Sequence, residues 1–330
     1  LIDAIVLLRR AVGWVQEAYF LIGSKLPHHW LRLIGFTIRC TWTGSFPEKK
    51  NSKLCVFASY EPSGDVPEYV RYFLRKLQAN SFDIVLVTTS ARLDEPTIIE
   101  LQNYCRRIIH RRNVGYDFFS WKVGLILTED VSRYEKVALI NDSVFGPFCS
   151  LDSYLAKMDT DPSSLWGFCD SVETGRHHLQ SWFLYFDRSH VASSVFETFW
   201  RAVTVISSKN EIVMKYEIGL SEAFKAAGSG IRAIFPYMEI RTAALKLGDR
   251  FQYHEQLAKV ELNPTLKMWD ILLRDFGFPF IKKELLTRNR YGANEIENWF
   301  ILSRDLDDEI LKHTRAYVVA SQGEQIRAIK

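Results

Sequence analysis

The sequence predicts an α/β fold, with a mainly parallel sheet flanked by helices. Three observations lead there. Short apolar runs with the pattern of buried strands, at 54–59, 82–89 and 137–140, alternate with segments of helical periodicity. These runs end in polar residues, the most abrupt being Asn141-Asp142-Ser143 after Val137 to Ile140. The composition, 47% hydrophobic and 25% charged over 330 residues, suits a packed core and is enough chain for about two domains.

In chain order, residues 1–46 differ from the rest. Residues 1–24 are apolar almost all round a helix, broken only by the narrow stripe Asp3, Arg10 and Glu17. Such a helix needs a cover. Charges interrupt every run long enough to cross a bilayer, so no transmembrane span is expected. Pro27 to Trp30 breaks the helix, and a second helical segment is expected over 31–42. Docking on a membrane surface or an adjoining domain through Trp14, Phe20 and Trp30 is the reading of this segment.

The globular region opens with the strand at 54–59. Asp65 and Glu68 form a capping-box-like pair, Pro67 suits a first helical turn, and Val70, Phe73, Leu74 and Leu77 follow at helical spacing. A strand at 82–89, a helix from Pro96 and a short strand at 107–110 come next. Asn113-Val114-Gly115-Tyr116-Asp117 is a polar turn opening a helix to about 127, and free N–H groups at a helix start suit a phosphate or a sugar hydroxyl. Beyond the 137–140 strand, a helix is expected over 151–158 and a strand over 165–169, which ends at Asp170. The pair His177-His178 is a weak metal signal, because neighbours in an extended segment point apart. A strand at 182–186, helices over 189–206 and 211–227, and a last strand at 231–235 complete the sheet. Residues 236–330 read as mostly helical. Lys282-Lys283 and Arg288 to Arg290 give them a basic face, for which a solvated helix is the usual explanation. The domain boundaries expected are 1–46, 47–240 and 241–330.

Composition also excludes classes. A net charge of +3 argues against a nucleic-acid partner. Five widely spaced cysteines without a CxxC argue against a disulfide framework or a zinc site and for a reducing compartment. There is no P-loop lysine motif, no GxSxG, no HExxH and no GxGxxG after the first strand. What remains is a row of polar groups at successive strand ends. In a parallel sheet these ends form one cleft, where ligands of open α/β sheets bind. A carboxylate there can hold a divalent cation that bridges phosphates, and another can take a proton from an attacking hydroxyl.

The stretches LCVFASYEPSGDVPEYVRYFLRKL, IVLVTTS, RNVGYDFFSWKVGL, LINDSVFGP, WGFCDS, YEIGLSEAFKAAG and NPTLKMWDILLRDFGFPFIKKELL occur in order over about residues 53–290. Together they resemble the rhamnan synthesis protein F family, nucleotide-sugar glycosyltransferases of the GT-A-like, Rossmann type. The resemblance implies a cytoplasmic enzyme, peripheral to the inner face of the membrane. It would move a rhamnose-like sugar, by inversion, from a dTDP- or UDP-linked donor to a lipid-linked bacterial surface polysaccharide. The alternatives are another donor such as UDP-galactofuranose, or a non-catalytic glycan-binding module of a larger synthase. Carried over by position, Tyr60 and Ser90 border the nucleotide, and Asn113, Gly115 and Asp117 lie beside the nucleotide sugar. Asn141, Asp142 and Ser143 occupy the place of the DxD metal motif, with Asp142 as the Mn²⁺ or Mg²⁺ ligand. Asn at the first position and Ser at the third leave one carboxylate and a weaker cation site. Asp170, at a strand tip, and Glu217, within YEIGLS, are the candidate bases, and Trp182 is a candidate acceptor platform.

Overall fold

The computed structural model describes residues 34–45, 51–303 and 306–329. Among them a nine-stranded sheet forms the centre. In chain order the strands are β1 (Ile38–Thr43), β2 (Lys53–Ser59), β3 (Phe82–Thr88), β4 (Arg107–Arg111), β5 (Lys136–Asn141), β6 (Val144–Phe145), β7 (Ser164–Ser171), β8 (His178–Leu179), β9 (Phe183–Asp187), β10 (Gly230–Phe235) and β11 (Ile281–Lys282). The sheet runs β1-β4-β3-β2-β5-β9-β7-β10, with β8 paired to β7, while β6 and β11 form a separate two-stranded pair. The β4-β3-β2-β5 and β7-β10 neighbours are parallel.

Period-two alternation explains the apolar runs. In β2, Leu54, Val56 and Ala58 belong to one core and Cys55 and Phe57 to the other; in β5, Val137 and Leu139 join the first core and Ala138 and Ile140 the second. Both faces are covered, so every position is apolar until the strand reaches the cleft. One face carries helices Glu68–Ala79, Asp152–Asp159, Tyr237–Leu247 and Trp269–Phe276. The other carries Tyr116–Ile126, Ser194–Ala202 and Gly219–Ala226. Gly124 lets its helix lie close on the sheet, since a Cβ there would come within 2.3 Å of Val56 Cγ1.

An aromatic cluster fixes the C-terminal part against this sheet. The ring of Phe280 lies 5.0 Å from Trp182, 5.1 Å from Phe168 and 5.4 Å from Phe73. A ring buried this fully contributes roughly 1.5–3 kcal/mol. The apolar and aromatic residues of 276–281 are therefore an anchor, and they hold the two lysines that follow at a set place.

Several expectations need correction. The segment expected to be helical over 31–42 is helical only at 34–37 among its described residues. It then becomes β1, which pairs antiparallel with β4 through Thr41 and Ile109. What is expected of residues 1–33, including docking through Trp14, Phe20 and Trp30, lies outside the described residues. Asp65 does not close a capping box. Its carboxylate accepts from the N–H groups of Val66 and Asp94, and Pro67 is the N-cap of Glu68–Ala79. β9 runs antiparallel to both β5 and β7, because a short connection returns the chain from the cleft edge. The helix expected over 189–206 is two helices, Arg188–Val191 and Ser194–Ala202, with Ser193 capping the second. The 211–227 helix contains a π-helical segment, Val213–Ile218. Among the described residues no helix is long and apolar enough to cross a membrane, and all five cysteines are free.

Candidate active site at the strand tips

The carboxyl end of β5 is the centre of the site. Asn141 is 4% exposed and Asp142 6%, so each needs partners to offset lost hydration. Asp142 Oδ2 accepts from the Tyr60 backbone N–H at 2.9 Å and from Ser59 Oγ at 3.2 Å. Both donors sit at the end of the neighbouring strand β2. Asn141 donates from Nδ2 to Asp117 Oδ2 at 2.9 Å. Its Oδ1 accepts from the Ser143 N–H at 3.1 Å and from Ser143 Oγ at 2.7 Å. Asp117, Asn141 and Ser143 are thus one hydrogen-bonded chain.

Asp117 lies in the first turn of the helix Tyr116–Ile126, and a buried arginine shapes the turn that leads into it. The Arg111 guanidinium donates to the carbonyls of Arg112, Val114 and Tyr116 and to Ser120 Oγ. Burial lowers its pKa to about 10, with Asp117 opposing the fall. Gly115 is left-handed at φ +74°, and a Cβ there would lie 2.8 Å from Phe119 Cβ, so only glycine fits. Burial pushes the Asp117 carboxyl up to about 7. The Asp142 charge adds to the rise, and Lys283, Arg111 and Lys282 oppose it.

Two lysines enter from the far end of the sequence. Strand β11 pairs antiparallel with β6, setting Lys282 opposite Val144, and the Lys283 N–H donates to the Ser143 carbonyl at 2.9 Å. Lys282 Nζ then donates to Ser143 Oγ at 3.4 Å and lies 5.5 Å from the Trp182 ring centre. Lys283 Nζ donates to Tyr69 OH at 2.9 Å and lies 3.6 Å from Asp142 Oδ2. Burial brings the Lys282 ammonium down to about 8 against the opposing charges of Glu217, Cys169 and Asp117.

The two candidate bases have different surroundings. Glu217 lies in the π-helical segment, a feature frequent at functional sites. Its Oε2 accepts from the Ser181 N–H at 3.0 Å and from the Ser181 hydroxyl. Its Oε1 is 3.7 Å from His178 Nε2. Burial would raise the Glu217 pKa, but the bonds from His178 and Ser181 outweigh it and hold the carboxylate below its usual value. The next residue, Trp182, accepts the Asn141 N–H at 3.0 Å, which joins Glu217 to the β5 tip through two consecutive residues. Asp170 sits near the end of β7. Its Oδ1 accepts the Tyr237 N–H at the start of a helix, at 2.6 Å, and its Oδ2 meets His177 Nε2 at 2.6 Å.

The structure therefore brings Tyr60, Asp117, Asn141, Asp142 and Ser143 into one array, with Glu217 beside it. Ser90 lies at the neighbouring end of β3, bonded to Thr88 Oγ1 and, through its carbonyl, to His110. Asn113 stays on the exposed part of the turn. His177 and His178 face different carboxylates, so they form no metal pair. Trp182 is 2% exposed and belongs to the core, which removes it as an open platform. The expected cation does not fit the donor set. Both the first and third positions of Asn141-Asp142-Ser143 are bonded to each other, and Asp142 Oδ2 already faces three donors. Among the described residues no group of three or more His, Cys, Asp or Glu could hold a metal ion.

Sequence reasoning missed Ser59, Ser181 and Arg111 and misplaced Lys282 and Lys283. The lysines lie in the cleft, whereas Arg288 and Arg290 are exposed. The available signal was the apolar run just before them, which no solvated helix needs.

Virulence protein VirA of Vibrio anguillarum is 27% identical over 284 residues, covering 81% of this chain and 89% of VirA. Among solved structures, TarS of S. aureus aligns at a TM-score of 0.37 and 13% identity, over 76% of this chain and 54% of TarS. The glycosyltransferase GlyE of Streptococcus pneumoniae aligns at 0.35 and 13%, over 81% and 63%. Those structural likenesses are loose. The family model described as Rhamnan synthesis protein F matches residues 84–316, most of the chain. The chain belongs to the rhamnan synthesis protein F family and is a glycosyltransferase.

Proposed function

We propose that the chain transfers a rhamnose-like sugar, with inversion, from a nucleoside-diphosphate donor to a growing lipid-linked bacterial surface polysaccharide. The observation that supports this most is the linked array Asp117–Asn141–Ser143 with Asp142 at the tips of parallel strands, where an open α/β sheet binds its ligand. In this reading Tyr60 and Ser90 border the nucleotide. The turn carrying Asn113, Gly115 and Asp117 lies along the nucleotide sugar.

Glu217 is the proposed base. It is held ionised, with Oε2 bonded by Ser181 and Oε1, the oxygen proposed to take the proton, only loosely engaged by His178 Nε2 at 3.7 Å. As the acceptor oxygen bonds to the anomeric carbon, the bond from that carbon to the diphosphate breaks. The hydroxyl proton passes to Glu217, and the nucleoside diphosphate leaves. Asp170 is the rival base, but both its oxygens are held at 2.6 Å, by Tyr237 and His177, more tightly than Glu217 Oε1 is held by His178. The work site proposed is the cytoplasmic face of the membrane, where lipid-linked acceptors are extended.

The experiment is nucleoside-diphosphate release from dTDP-rhamnose, UDP-galactofuranose and other nucleotide sugars, with and without a lipid-linked glycan acceptor. Acceptor-dependent release with one donor, lost by at least about 100-fold in Glu217→Gln with donor binding kept, supports the reading. Full release in Glu217→Gln and its loss in Asp170→Asn would move the base to Asp170.

A further inference from the structure

We infer that Lys282 and Lys283, rather than a divalent cation at Asp142, supply the positive charge that holds the donor diphosphate. This rests on the nucleotide-sugar reading above and names the groups that meet its phosphates. The geometry carries it. Lys282 ends β11 and Lys283 begins the helix Lys283–Thr287, and their side chains reach different partners. One ammonium reaches Ser143 Oγ at 3.4 Å and the other comes 3.6 Å from Asp142 Oδ2. The pair straddles the tip of β5, the position at which a cation would otherwise bridge protein and phosphate.

The donor set argues the same way. Asn141 Oδ1 is occupied by two hydrogen bonds from Ser143. Asp142 Oδ2 takes the Ser59 hydroxyl, the Tyr60 N–H and the Lys283 ammonium. A dication beside that carboxylate would sit against two like charges, whereas an anion beside it meets both ammoniums. The Lys282 amine is the more available of the two. Its hydrogen bond to Ser143 is long, and the surroundings that bury it also make its charge costly until an anion arrives. Tyr69 and Tyr317 flank Lys283, their ring centres 5.6 and 5.8 Å from Nζ, and hold it over Asp142. Pairing β11 with β6 makes the placement a property of the backbone, not of two long side chains alone.

The test is calorimetric binding of UDP, dTDP, UMP and dTMP to the full chain, in EDTA and again with Mn²⁺. Expected is diphosphate binding in EDTA, at least about tenfold tighter than the matching monophosphate. Lys282→Met and Lys283→Met should each lose that advantage while keeping monophosphate affinity, and the arginine variants should regain part of it. Lys283→Met leaves Asp142 without its ammonium. If it does not fold, Lys282→Met, which breaks no ion pair to a carboxylate, decides the matter. Diphosphate binding that requires Mn²⁺, or methionine variants of unchanged melting temperature that bind diphosphate like the wild type, would overturn the inference while leaving the nucleotide-sugar reading standing. Absence of any nucleotide binding by the folded wild type would overturn that reading and the lysine clamp together.

Discussion

The Lys283 ammonium lies 3.6 Å from Asp142 Oδ2, joining the last third of the chain to the tip of the central strand. The same oxygen accepts from Ser59 and from the Tyr60 backbone, so one carboxylate ties three segments together. Asp142→Ala leaves two donors and a half-buried ammonium without their acceptor. The expected loss of folding stability is about 2–4 kcal/mol. Urea unfolding measures it, and a loss near zero would mean that water replaces the carboxylate.

Gly115→Ala is expected to cost about 1–3 kcal/mol, because alanine is strained at the left-handed φ of +74° and its Cβ meets Phe119. The turn carrying Asp117 should shift with it and nucleotide affinity should fall. A variant with wild-type stability and affinity would show that the turn does not shape the site.

Arg111→Lys removes the planar fork that serves three carbonyls and Ser120 Oγ. A lysine ammonium is a point donor and cannot reproduce that geometry, so a loss of about 2–4 kcal/mol is expected. Differential scanning calorimetry of the two proteins decides it: coincident transitions would remove Arg111 as the support of the turn.

Asp117 gives a pH signature. Its folded pKa is raised to about 7 by burial and the Asp142 charge. The folded chain therefore binds that proton more tightly than the unfolded chain, and stability falls as pH rises from about 4 to about 7. Asp117→Asn removes this dependence while keeping an acceptor for Asn141 Nδ2. The variant should gain about 1–2 kcal/mol over wild type at pH 8, after solvent screening, and the gap should close toward pH 4. A difference that does not change between pH 5 and pH 8 would contradict the assignment.

The strand tips were legible because a strand covered on both faces is apolar at every position, so Asn141-Asp142-Ser143 stands out where the cover ends. The turn at Gly115 was legible for a related reason, since glycine before a helix marks a backbone that other residues resist. Partners that meet only after folding were not legible. β11 has two residues and pairs with another two-residue strand, which leaves no periodic trace, so Lys282 and Lys283 read as an ordinary basic face. The apolar and basic residues of β1 suit helix or strand equally, and pairing with β4 decides between them. The direction of β9 depends on a connection whose length, not composition, sets it.

The most direct measurement is a thermal-shift titration of the full chain with UDP, dTDP and their sugar conjugates. Binding to the folded state alone raises the melting temperature by mass action. A rise is expected with the diphosphate of one base, seen without added divalent cation and abolished in Lys282→Met. A folded chain whose melting temperature responds to no nucleotide would contradict a donor site at the strand tips.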